Sequence, residues 1–181
     1  MSDAARSVRA MTESQRRPVP FVDTSELDTA LAFLRFARES VVKKLEGLDE
    51  AAARRELVSS GTNLLGLIRH LAMSEQFWFH HHVAGEPLTA PRDHTFFSMD
   101  VEPVRRVEDV VADYRAAAAH SDELVTAVGD PDTLTAEPVE ADGGSERRRL
   151  RWVLAHMTSE TARHAGHADI LRELLDGTTG R

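Results

Sequence analysis

Twelve residues near the C-terminus, HMTSETARHAGH from His156 to His167, hold three histidines and a glutamate. Imidazole titrates near neutral pH and is a common ligand for divalent metals, and the Glu160 carboxylate adds a charged oxygen donor. On a helix turning about 100° per residue, with His156 at zero, Glu160 falls at about 40°, His164 at about 80° and His167 at about 20°. Val153 and Leu171 lie at about 60° and Leu174 at about 0°, so the four polar groups share a stripe with apolar residues. That stripe is expected to face the interior, where an unpartnered polar group costs about 1–3 kcal/mol and an unpaired charge more. A metal ion or a polar pocket removes the penalty.

Glu160 and His164, four residues apart, converge from one helical face on a single point. Two ligands rarely hold an ion, so a third is expected from a facing helix. His70 is the candidate, about 60° around from Leu67 and near Asn63 and Ser74. Two histidines and one carboxylate with open positions describe a catalytic-type site for zinc, iron or nickel. The run His80-His81-His82 fans out by about 100° per residue, cannot serve one ion, and reads as a solvated helix end. His94 and His120 have no comparable context. The sequence holds no HExxH, P-loop, GxGxxG or GxSxG pattern.

Four segments with helical periodicity must position these residues, and none shows the sustained alternation of a strand. The first covers residues 24–48, with Ser25 and Asp28 as a capping pair and Leu27, Leu31, Leu34, Val41 and Leu45 as its stripe. DEAAARREL, 49–57, reads as a short connecting helix. The second covers 62–83, with Leu64, Leu67, Leu71 and Trp78 inward, and stops at Gly85-Glu86-Pro87. A long loop around HTFFSMD leads to the third, 107–128, bounded by Gly129-Asp130-Pro131. A turn-rich stretch, 133–146, leads to the fourth, 148–175, which ends at Gly177. The expectation is all-α: a four-helix bundle with long inter-helix connections over residues 21–178, after a flexible tail of residues 1–20.

Composition agrees with one domain: 181 residues, 41% hydrophobic and 29% charged. The absence of cysteine excludes disulfides, thiolate metal sites and cysteine nucleophiles. A formal net charge of −8 offers no footprint for nucleic acid. No apolar run approaches the roughly 18 residues of a membrane span, and the N-terminus lacks a signal-peptide core, so the expected location is cytoplasmic.

NLLGLIRHLAMSEQFWF in the second helix and TSETARHAGHADILRELLDG in the fourth resemble the DinB-like superfamily, in its actinobacterial branch related to mycothiol-dependent maleylpyruvate isomerases and mycothiol S-transferases. The resemblance covers about residues 25–176. It implies a four-helix bundle that binds a divalent metal through three side chains, one from the second helix. The usual fourth-helix pattern is His-x3-His-x-Gly-Gln. Here Glu160 stands at the first histidine, His164 and Gly166 match, and His167 replaces the glutamine. The maleylpyruvate isomerases are similar in using a His, Glu, His triad, which carries over to His70, Glu160 and His164. The implied activity is a metal-dependent thiol S-transferase or isomerase acting on a small electrophile, with zinc, nickel or iron as the metal and mycothiol as co-substrate. His167 and His156 would be the catalytic proton carriers, and Arg163 or Arg69 would hold a carboxylate. Two other readings stay open: a non-catalytic metal-binding stress-response protein, and an interaction module pairing as a homodimer.

Overall fold

A computed structural model describes residues 18–88, 98–141 and 143–180. Most of the expected tail, 1–17, and residues 94–97 of the HTFFSMD loop, including His94, lie outside the described residues.

Helix α1, Glu26–Lys43, begins where the sequence signals a cap. The Asp28 N–H donates to Ser25 Oγ at 3.0 Å, and the Ser25 hydroxyl donates to Asp28 Oδ2 at 2.8 Å. The helix ends earlier than its apolar spacing suggests, because the chain turns through Gly47 at φ 74°. Helix α2, Glu50–Ala53, is one turn capped by Asp49. Helix α3, Leu64–Glu75, starts at Asn63, whose side chain accepts from the Gly66 N–H. Its apolar face is Leu64, Leu65, Leu67, Ile68 and Leu71, all buried. The helix continues as a π-helical segment, Gln76–Val83, that helical periodicity does not announce. Gly85, at φ 75°, ends it.

Helix α4, Val107–Val128, closes on Gly129 in the left-handed conformation, as the Gly-Asp-Pro signal predicts. The turn-rich stretch that follows contains a small antiparallel hairpin, β1 Val139–Ala141 and β2 Gly144–Glu146, too short for an alternation pattern to reveal. Helix α5, Leu150–Asp176, ends at Gly177.

In the bundle α1 lies along α5, and α3 lies along α4 while also touching α5. One apolar cluster gathers Leu31, Leu34, Phe79, Val153, Leu154 and Met157. A second gathers Val41, Leu65, Ile68, Leu71, Tyr114 and Leu171. The interior also buries an ion pair. Arg38 donates to both Glu75 oxygens at 2.7 and 2.6 Å and to Asp122 Oδ1 at 2.7 Å. The segment after residue 97 crosses the start of α3 at Gly66, where an added Cβ would stand 2.8 Å from Met99 Cα. Asn63 Nδ2 donates to Met99 O at 3.2 Å, and Arg69 Nη1 donates to Ser98 O at 3.2 Å. Among the described residues, no helix is long and apolar enough to cross a membrane.

The inward face of α5 is rotated from the expected stripe. Its buried residues are Leu150, Val153, Leu154, Met157, Thr161, Ala168 and Leu171. On the scale used above these centre near about 100°, because α1 and α3 together cover that flank. Leu174, expected inside, is 58% exposed, and His167 is exposed as well. His156, Glu160 and His164 lie along the edge of the buried face and are half-buried. The Arg172 side chain is 11% exposed and donates to Lys44 O and Glu46 O.

Candidate metal centre

His70 projects from the middle of α3, and Glu160 and His164 project from successive turns of α5. Glu160 Oε1 lies 2.9 Å from His164 Nε2 and 3.5 Å from His70 Nε2. The two imidazole rings stand 5.0 Å apart at 70°. Each of the three residues offers a ligand atom within 4.8 Å of the others. Their side chains are 8%, 15% and 12% exposed, so the donors are sheltered yet accessible.

Burial pushes the His164 imidazole down to about 4, with the positive forms of His70 and His167 and the Arg163 guanidinium adding to the effect. A neutral imidazole at physiological pH is the state a metal requires. Arg163 forms an ion pair with Glu160 Oε2 from an exposed position. Its guanidinium thus occupies one carboxylate oxygen and leaves Oε1 between the two histidines. Arg69, the other expected carboxylate holder, is engaged with Ser98 O.

His167 does not join the three donors. Its Nδ1 lies 3.3 Å from His164 Nδ1, on the far side of that ring. With a metal on His164 Nε2, Nδ1 would carry the proton and donate to His167. His156 is one turn before Glu160 and outside the converging group. Its ring stacks on Trp152, with centroids 5.2 Å apart and planes 4° from parallel, and packs 4.5 Å from Trp78. A cavity of about 650 Å³ opens between α1 and α4, lined by Arg35, Arg38, Tyr114 and Asp122 among others, and contains none of the triad. The donor chemistry, not cavity size, marks the centre.

The 80–82 run is not the solvated end that its sequence suggests. His82 is buried, and His80 and His81 are half-buried. His80 Nε2 faces Ala117 O at 3.1 Å, and His81 Nδ1 faces Glu86 O at 2.9 Å. His120, set aside on sequence, lies with Nε2 2.8 Å from Glu86 Oε1. No spacing rule links His120 to residues 80 and 86, since the contact depends on how α4 docks against the π segment. The available signal was Phe77-Trp78-Phe79, three consecutive large aromatics that a single α-helical face cannot bury together.

A family model described as Mycothiol-S-transferase matches residues 29–177, and no curated protein matches the chain. The match reaches into all four long helices and covers every member of the triad. The chain belongs to the mycothiol-S-transferase family.

Proposed function

We propose that this protein is a metal-dependent S-transferase that joins a small thiol, mycothiol in the first instance, to a small electrophile. The observation that carries the reading is the convergence of His70, Glu160 and His164 in a chain of this family. The donor set fits a zinc-class ion. Two imidazole nitrogens and one carboxylate oxygen are what such an ion takes in an open catalytic site, and tetrahedral bonds of 2.0–2.1 Å set donor separations of about 3.3 Å. The 2.9 and 3.5 Å separations found here bracket that value. Nickel and iron accept the same donors.

When bound, the cation would lower the pKa of an arriving thiol and so supply the thiolate nucleophile at neutral pH. The protein's own residues do the rest. Glu160 balances charge and is aimed by Arg163. His167 accepts from His164 Nδ1–H, fixing the tautomer that presents Nε2, and its own Nε2–H is then left as a donor toward solvent and substrate. His156, flanked by Trp78 and Trp152, marks the aromatic end of the site and is the second proton carrier. In a conjugation with a chloro-electrophile, the thiolate sulfur forms the new carbon–sulfur bond, chloride leaves with the bonding pair, and the thiol proton passes to solvent.

The test is metal content by elemental mass spectrometry on tag-free protein, followed by thiol conjugation to a fluorogenic chloro-electrophile. The parent is expected to hold metal at the triad and to show thiol-dependent turnover. His70→Ala and His164→Ala are expected to lose the triad's share of the metal and all of the turnover. Metal that binds at the triad without any thiol-dependent turnover would leave a metal-stabilised, non-catalytic bundle as the better reading. Parent protein that takes up no zinc, nickel or iron would remove the triad.

A further inference from the structure

A second set of donors lies where the π segment meets α4. His80 Nε2 is 3.1 Å from Ala117 O and 3.3 Å from Ser121 Oγ. A carbonyl only accepts, so a hydrogen bond there places the proton on Nε2 and the lone pair on Nδ1. That Nδ1 faces Glu86 Oε2 at 4.0 Å. Gly85, at φ 75°, turns the chain so that Glu86 folds back over the segment. Two bonds hold it there: the Glu86 N–H donates to His80 O at 2.9 Å, and its carbonyl accepts from His81 Nδ1 at 2.9 Å. From α4, His120 brings Nε2 to within 2.8 Å of Glu86 Oε1, and its Nδ1 faces the Glu123 carboxylate at 3.6 Å. The His80 and His120 rings are 4.5 Å apart at 74°.

Three features set this cluster apart from a chance meeting of polar side chains. Its ligand atoms all lie within 4.8 Å of one another. The outer nitrogen of each histidine faces an acceptor, a backbone carbonyl for His80 and a carboxylate for His120, the usual arrangement behind metal-ligating imidazoles. The carboxylate comes from a turn held by its own backbone. We propose that His80 Nδ1, Glu86 and His120 Nε2 form a second site for a divalent zinc-class ion, fastening the end of the π segment to α4. With His120 and Glu86 side chains 41% and 39% exposed, the remaining coordination positions belong to water, and the ion exchanges more readily than one at the triad. The site shares no residue with the triad and does not depend on the transferase reading.

The experiment is a calorimetric zinc titration of tag-free full-length protein. The parent is expected to bind two equivalents. His70→Ala/His164→Ala is expected to keep one, and adding His120→Ala or Glu86→Gln is expected to abolish it or weaken it by about 10–100-fold. Far-UV circular dichroism verifies that each variant remains helical. In the parent background, His120→Ala alone is expected to lower the stoichiometry from two to one, which decides the matter if the double variant unfolds. A parent that binds one equivalent, unchanged in His120→Ala, overturns the site. So does residual binding in the double variant that persists unaltered when His120 or Glu86 is replaced.

Discussion

Tyr114 is the sole tyrosine of the chain, so its ionisation can be followed without interference. Its hydroxyl is buried with no hydrogen-bond partner among the described residues. Burial pushes it well above the usual phenol value of 10, and the Glu75 carboxylate adds to the shift against the opposing Arg38. A group whose folded value is raised contributes stability that is complete below its unfolded value and is lost as pH rises. Tyrosinate absorbance is therefore expected to stay flat past pH 10 and to rise together with the loss of helical ellipticity. A separate, earlier phenolate step would contradict that burial. At the proposed metal centre, His167→Ala is expected to cost about 10–100-fold in metal affinity, because a metal-bound His164 would lose the acceptor that fixes its tautomer. His167→Gln keeps an acceptor in reach and is expected to recover most of that loss; equal losses in both would argue against the orienting role. The triad was legible from spacing because two members sit one turn apart and the third lies on an apolar helix. The exposed placement of His167 was not, since a helical wheel puts it on the same stripe and only the ring geometry sets its Nδ1 behind His164.

Two helical glycines give opposite expectations at the scale of elements. Gly66 faces the crossing backbone of Met99, which has no flexible end to move aside. Gly66→Ala is expected to destabilise by about 1–3 kcal/mol, an overpacking penalty that urea denaturation would register. Gly166, on the outer side of α5, meets nothing within 4 Å. Gly166→Ala is expected to be neutral or to stabilise by up to about 1 kcal/mol, through helix propensity alone. If both changes proved neutral, the strap over α3 would not be the tight contact described. Helix boundaries were readable where a cap chemistry exists, as at Ser25, Gly129 and Gly177. The π segment was not readable in the same way, because its wider winding answers to tertiary demands: Phe77, Trp78, Phe79 and His82 must all be buried within six residues.

For the whole molecule, metal binding and folding are linked, since an ion that binds only the native donors raises its stability by mass action. At about 100-fold excess over the dissociation constant the gain is about 2.7 kcal/mol. For a chain of 181 residues that corresponds to a rise of roughly 5–11 °C in Tm. Scanning calorimetry with zinc is expected to show this rise, EDTA to reverse it, and His70→Ala/His164→Ala to reduce it. An unchanged Tm in the parent would mean that the native donors hold no ion. The all-α bundle was legible because four long apolar stripes leave few other ways to bury them. The mutual placement of the stripes was less so: the rotation of α5 that exposes Leu174 and His167 depends on two partner helices at once, which no single-helix pattern encodes. Trp78 and Trp152 are the chain's two tryptophans, and both lie against His156, one turn before Glu160. The protein thus carries its own optical gauge. Any ligand that shifts that turn of α5 alters tryptophan emission, and Trp78→Phe and Trp152→Phe apportion the signal between the two rings without an added dye.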